Sequence, residues 1–190
     1  MVLCDNNAPE IMEKWITREF VFKGRIFDVM AGDALLDNGR TARREVVTHD
    51  GGIAVVPLIG EKVLLIRQYR IAVDQLLLEL PAGRREGQEP PEKRAALELE
   101  EETGYRAGRL QLLTTYFSSA GFTNERMHIF LATDLEEVEQ RLEPDERIEI
   151  VPLDIVEIPA MLDAGDIVDA KTIIGLRELL SRPDLWKQAG

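Results

Sequence analysis

The sequence predicts a mixed α/β sandwich, a sheet held between helices, with a small antiparallel β subdomain at the N-terminal end. Three observations carry that reading: short β-leaning runs before residue 48, dense apolar runs between residues 53 and 80, and one sharply punctuated helix in mid-chain. Residues 1 to about 12 contain Asp5, Asn6, Asn7 and Pro9, the composition of a loose terminus, so order is expected from near Trp15. The runs WITREFVF, RIFDVM and TARREVVT then read as strands separated by Lys23-Gly24 and by Asp37-Asn38-Gly39, the second a hairpin-turn signal. They define an N-terminal β subdomain over residues 1–48, and residues 49–190 form the larger domain. After Gly51-Gly52, the runs IAVVPLI, KVLLIRQYR and QLLLEL are apolar enough to imply strands covered on both faces. RLQLLTTYF and MHIFLATDL are further strands flanking the loop from Ser118 to Arg126. IEIVPLDI follows as a strand, IPAMLDAG as a short helix, and AKTIIGLRELL as a helix ended by Pro183.

Composition narrows the function classes. At 190 residues and 45% apolar content the chain is long enough to bury a real core but leaves no room for a second enzyme domain. A formal charge of −12 argues against nonspecific binding to nucleic acid or to an anionic membrane, both of which need a basic surface. Cys4 is the single cysteine, so there is neither an internal disulfide nor a cysteine-rich zinc site. The start MVLCDNNAPE lacks the basic and apolar regions of a secretory signal, and no run reaches the ~18–20 apolar residues that span a bilayer; a cytoplasmic location is expected. His49 and His128 are too few and too separated for a metal or nucleophile site, and Trp15 and Trp186 read as packing or interface residues.

The chemistry concentrates between Gly83 and Tyr105. Pro90 and Pro91 suit a first helical turn and Gly104 the left-handed position past the last, which predicts a helix from about Pro91 to Thr103. At 100° per residue, Glu98, Glu101 and Glu102 share one arc, Ala96, Leu99 and Thr103 form the neighbouring apolar arc, and Glu100 points to solvent. Like charges one turn apart oppose the helix unless a cation lies between them, and hard oxygen donors suit Mg²⁺, Mn²⁺ or Ca²⁺. For the run ELEEE alone a merely solvated acidic face is the favoured reading, since charge runs usually just solvate.

The spacing resembles the Nudix box, G-x5-E-x7-R-E-U-x-E-E-x-G-U with U apolar, matched in register by Gly83, Glu89, Glu98, Leu99, Glu101, Glu102, Gly104 and Tyr105. Leu97 stands where the family has arginine; Arg94, at i, i+4 from Glu98, is expected to take over part of its orienting role. Beyond the box, VLLIRQYR, LLLELPAG, SSAGFTNERMHIFLA and IVDAKTIIGL resemble the ADP-ribose pyrophosphatases from Phe22 to Leu180.

The resemblance implies a Nudix-like α/β/α sandwich and a site. Glu98 and Glu102, with the main-chain carbonyl of Ala82 and with Glu101 directly or through water, are the implied ligands of Mg²⁺, Mn²⁺ being the alternative. Glu125, in the loop Ser119-Ala120-Gly121 where the family usually has Ser-Pro-Gly, is the expected general base; Glu101 is its rival, and an ion pair with Arg126 is the plainer role for this side chain. Arg70 is implied near the pyrophosphate or terminal ribose, and Arg43, Glu45 and Ile26 at the adenosine end. The implied reaction is Mg²⁺-dependent hydrolysis of a nucleoside diphosphate sugar, ADP-ribose giving AMP and ribose 5-phosphate. GDP-mannose or a range of ADP-sugars is an alternative substrate class, and Leu97 and Ala120 raise a non-catalytic metabolite sensor. A homodimer is implied, with N-terminal strands of one subunit completing the adenosine pocket of the other.

Overall fold

The computed structural model describes residues 12–85, 87 and 89–186. They form two compact units, residues 12–49 with 119–125 and residues 50–118 with 126–186. The expected loose start at residues 1–11 lies outside the described residues, as does Cys4.

In the first unit, β1 (Glu13–Lys23), β2 (Asp28–Leu36) and β3 (Thr41–Thr48) form an antiparallel sheet in that order. The β2–β3 turn falls at Asp37-Asn38-Gly39: the Leu36 N–H donates to the Arg40 carbonyl at 2.8 Å, and Gly39 holds φ +79°, which glycine adopts without strain. The second strand differs from the expected RIFDVM. The Gly24 N–H donates to Phe27 O and to Asp28 Oδ1, tying Arg25, Ile26 and Phe27 into a bend, so the strand starts later and runs on to Leu36. The loop 119–125 joins this unit through β3, the Val47 N–H donating to Phe122 O at 2.8 Å and the His49 N–H to Asn124 Oδ1 at 2.8 Å.

The second unit is built on a sheet of order β10-β5-β4-β9-β8, with β6 added against β5 and β7 against β4. The strands are β4 (Gly52–Ile59), β5 (Lys62–Arg70), β6 (Gln75–Glu79), β7 (Ala82–Arg84), β8 (Tyr105–Phe117), β9 (Arg126–Glu137) and β10 (Glu149–Asp154). Only β4 and β9 run parallel; the other pairs are antiparallel. Among the described residues three α-helices cover it: α1 (Pro91–Thr103), α2 (Ile158–Ala164) and α3 (Ala170–Leu180).

Alternation along β4 divides the core in two, because successive side chains point to opposite faces. Ile53 and Val55 pack with Ala95 and Leu99 of α1, while Ala54, Val56 and Leu58 pack with Leu176 and Leu179 of α3. The sheet therefore lies between helices, as expected. Gly175 permits the approach of α3, since a Cβ there would meet Leu80 Cδ1 at 2.6 Å. QLLLEL departs from the expectation of a strand covered on both faces. Strand β6 pairs with β5 alone and leaves Leu76 66% exposed, while Glu79, the charged member of the run, is buried.

Helix α1 has the predicted bounds. Pro91 starts it, and Gly104 ends it at φ +70° with its N–H on Glu100 O. Its buried stripe is Ala95, Glu98, Leu99, Glu102 and Thr103, so Ala95 rather than Ala96 faces the core and two glutamates share that face. Glu100 is corrected too: it bonds Arg106 at 2.8 Å and lies 3.6 Å from Arg141 instead of pointing into bulk solvent. No helix among the described residues is long and apolar enough to cross a membrane.

Candidate active site

Glu98 and Glu102 stand on successive turns of α1 with 6% and 3% of their surface exposed, facing strand β7. The Ala82 N–H donates to Glu102 Oε2 at 2.8 Å. At Gly83 a Cβ would lie 1.6 Å from Glu98 Oε1, so only glycine lets this carboxylate reach the β7 backbone. Arg94, one turn earlier, places Nη2 2.5 Å from Glu98 Oε1.

Burial disfavours the charged form of both acids. It pushes the Glu102 carboxyl up to about 8, the Glu98 and Glu146 charges adding to the effect and the Ala82 N–H opposing it. Burial likewise raises Glu98, against the pull of Arg94 and with repulsion from Glu101 and Glu146. Two buried carboxylates with a third beside them are costly as anions, and a divalent cation offsets that cost. The donor set is all oxygen, and a backbone strand closes on it where glycine leaves room, so the residues fit a hard cation such as Mg²⁺ or Mn²⁺. Among the described residues no three Asp, Glu, His or Cys side chains are already grouped as ligands; the fit rests on the buried pair and the main chain beside it.

A second charged cluster lies in the same unit. Glu79, 1% exposed, accepts from Arg70 Nε and Nη2 at 2.8 Å each and from Lys171 Nζ at 2.5 Å. Burial alone would raise the Glu79 carboxyl, but the bonds and charges of Arg70 and Lys171 outweigh it and hold the group below the usual carboxylate range. Lys171 also lies 3.0 Å from Asp169, whose carboxylate caps α3 by accepting from Thr172 N and Oγ1, while Thr172 Oγ1 receives the Leu80 N–H. Arg70 is raised first by its bonds to Glu79, with Glu102 and Asp169 adding; its charge in turn steadies ionised Glu102. Arg70 thus connects the cluster to the acidic pair.

The remaining candidates divide by unit. Glu101 stays beside the pair, its charge acting on Arg94 and Glu98. Ile26, Arg43, Glu45 and Glu125 belong to the first unit. There Glu125 Oε1 lies 3.5 Å from His49 Nδ1, and its own N–H donates to Thr123 Oγ1. Arg43 and Glu45 share the exposed face of β3, Arg43 lying 3.8 Å from Asp33, and Ile26 is exposed in the β1–β2 bend.

Sequence reasoning missed Glu79, Lys171 and Glu146. For Glu79 a signal existed: one carboxylate inside the leucine run of β6. For Glu146 there was none, since seven of the fourteen residues 136–149 are acidic and nothing singles it out; only the fold brings its charge onto both Glu98 and Glu102. Glu146 also lines a cavity of about 590 Å³ together with Arg67, Leu76, Leu142 and Arg147.

The NUDIX domain family matches residues 48–173. The chain is 35% identical to the ADP-ribose pyrophosphatase of Bacillus subtilis (strain 168), over 93% of this chain and 97% of the relative. It is 32% identical to the GDP-mannose pyrophosphatase of Cronobacter sakazakii (strain ATCC BAA-894), over 93% and 96%. A solved structure described as an ADP compounds hydrolase superposes with a TM-score of 0.83 at 22% identity, covering 90% of this chain and 94% of its own, which shows the shared fold. The chain belongs to the Nudix family, and the acidic stripe of α1 with Gly83 lies within the matched residues.

Proposed function

We propose that this Nudix hydrolase cleaves the pyrophosphate of a nucleoside diphosphate sugar, ADP-ribose being the preferred substrate and AMP and ribose 5-phosphate the products. The observation that carries it is the buried pair Glu98 and Glu102 held against the Ala82-Gly83 backbone. The extent of identity to the Bacillus subtilis enzyme supports the choice of substrate. Glu98, Glu102 and the Ala82 carbonyl would hold Mg²⁺, with Mn²⁺ able to replace it and Glu101 contributing directly or through water. Such a cation, when bound, supplies neutralisation of diphosphate charge and a more acidic water.

The chain's own residues do the rest. Arg94 orients Glu98, and Arg70 offers a guanidinium to a phosphate oxygen or the terminal ribose. A carboxylate accepts the proton of the attacking water as its oxygen bonds to phosphorus and the bridging P–O bond breaks. Glu125 is the base expected from its loop. Glu146 is a second reading, favoured because its charge reaches both Glu98 and Glu102 within the same unit. Ile26, Arg43 and Glu45 contact the adenosine end in this account. The N-terminal β subdomain, residues 1–48, pairs with that of a second subunit in a homodimer that exchanges N-terminal strands; the exposed Ile16, Phe20 and Phe22 of β1 are apolar surface of the kind that association covers. A cytoplasmic location goes with it, since a lone cysteine makes no internal disulfide.

A GDP-mannose substrate is the specific alternative, supported by the Cronobacter relative. Quantifying AMP, GMP and sugar phosphates released from a panel of nucleotide sugars decides between them. ADP-ribose turned over fastest supports the proposal, and GDP-mannose turned over fastest replaces it. Binding of ADP-ribose without turnover in either Mg²⁺ or Mn²⁺ makes the protein a sensor.

A further inference from the structure

We propose that Glu79 is a positioning residue for the diphosphate subsite, its buried carboxylate aiming the Arg70 guanidinium at a substrate phosphate oxygen. The inference rests on the nucleotide-sugar reading above and adds a residue to it.

An ionised carboxylate in a core is expensive unless it is fully partnered. At position 79 the fold had an inexpensive alternative, because Leu76, Leu77, Leu78 and Leu80 surround it in sequence. Glutamate is instead present, 1% exposed, with every donor it receives coming from a cation.

The geometry gives that charge a purpose. Arg70 binds edge-on through Nε and Nη2, the two-point contact that fixes a guanidinium's plane and leaves the Nη1 edge for another ligand. Glu79 is covered and Lys171 nearly so, whereas the Arg70 side chain is 42% exposed. The cluster therefore buries its negative charge and presents its positive one. Lys171 supplies a second counter-charge to Glu79, so Arg70 is not left as the sole partner of a buried anion. Glu79 ends β6 three residues before Ala82, whose N–H holds Glu102, and the Arg70 charge acts on Glu102, so the cluster adjoins the acidic pair. A diphosphate held there meets a guanidinium whose orientation is set before binding, which lowers the entropy cost of capture.

The test uses the full chain, Mg²⁺ and ADP-ribose. Glu79→Gln keeps the volume but loses the charge and one acceptor oxygen. It is expected to raise KM about tenfold while kcat changes less than about threefold, the loss of one charge-assisted contact to substrate. Acting through Arg70, it adds nothing further when Arg70→Ala is already present. A folded Glu79→Gln with unchanged KM, or KM effects that multiply in the double variant, overturns the inference by reducing Glu79 to a packing role. Should Glu79→Gln not fold, Arg70→Lys decides. It keeps the charge but cannot make the two-point contact, so a KM raised about tenfold supports the proposal and an unchanged KM overturns it. Wild-type protein inert on every nucleotide sugar refutes the functional reading instead, a result distinct from an active wild type with an indifferent Glu79.

Discussion

The Arg94 guanidinium reaches Glu98 across one turn of α1, Nη2 to Oε1 at 2.5 Å, where the family's box arginine is replaced by Leu97. The contact opposes burial, which still raises the Glu98 carboxyl above the usual carboxylate range. Arg94→Ala is expected to weaken divalent-cation affinity and turnover together and to cost about 1–3 kcal/mol of stability, the range for losing a charge-assisted bond. Calorimetric titration with Mg²⁺ and steady-state turnover check it; a variant with both unchanged removes Arg94 from the orienting role.

Gly83 makes a sharper demand. The Cβ of an alanine would fall 1.6 Å from Glu98 Oε1, so Gly83→Ala must displace either the carboxylate or strand β7. Cation affinity is expected to drop at least about tenfold, with a stability loss of about 1–3 kcal/mol from overpacking. Affinity within twofold of wild type means the Glu98 carboxylate is not held by that approach.

The acid–base behaviour of Glu102 gives a pH signature in chelator-treated protein. Its folded value of about 8 lies above the usual 4.5, so the folded chain keeps a proton that the unfolded chain releases. The resulting contribution is complete below about pH 4.5 and is lost as pH rises through about 8, on the order of a few kcal/mol in all. Glu102→Gln, which cannot ionise, should flatten that part of the decline in melting temperature between pH 5 and 8. Mg²⁺ should stabilise the wild type more at pH 8 than at pH 6, because a ligand carboxylate must be deprotonated. Parallel curves for wild type and variant contradict the assignment.

Two carboxylates compete for the role of base. Glu125→Gln and Glu146→Gln should differ by at least about tenfold in kcat, the lower end of the contribution of proton transfer being about a hundredfold. Binding of Mg²⁺ should survive in both variants, and a large kcat loss on only one of them names the base. Near-normal turnover in both excludes a loop carboxylate and returns the role to Glu101.

The homodimer is checked by light scattering. A mass of two chains is expected, and Phe20→Glu with Phe22→Glu on the exposed face of β1 should shift it towards one chain. A single-chain mass for the wild type contradicts strand exchange.

What was legible in the sequence was local. The bounds of α1 followed from Pro91 and Gly104, which act on the backbone wherever they occur, and the Asp37-Asn38-Gly39 turn followed from the same kind of punctuation. That Glu98 and Glu102 share a face was legible because helical periodicity fixes which side chains lie together. What escaped depends on chain segments far apart. Lys171 meets Glu79 across 92 residues, and Glu146 acts on α1 from a loop whose path no periodicity reports. Edge position, too, is a property of the assembled sheet, which is why β6 read as a covered strand and yet exposes Leu76. The misplaced Ala96 has a smaller cause: an arc of apolar residues alone centres on Ala96, Leu99 and Thr103, whereas the buried stripe includes two acids and so lies towards Ala95.

The most direct test of the central claim follows ADP-ribose by phosphorus NMR with the wild-type protein in Mg²⁺, repeated with excess chelator and with Glu98→Gln and Glu102→Gln. The diphosphate resonances should give way to those of AMP and ribose 5-phosphate in Mg²⁺ only, and each variant should abolish that conversion. Turnover that persists in chelator, or in both variants, contradicts an active site built on these buried carboxylates.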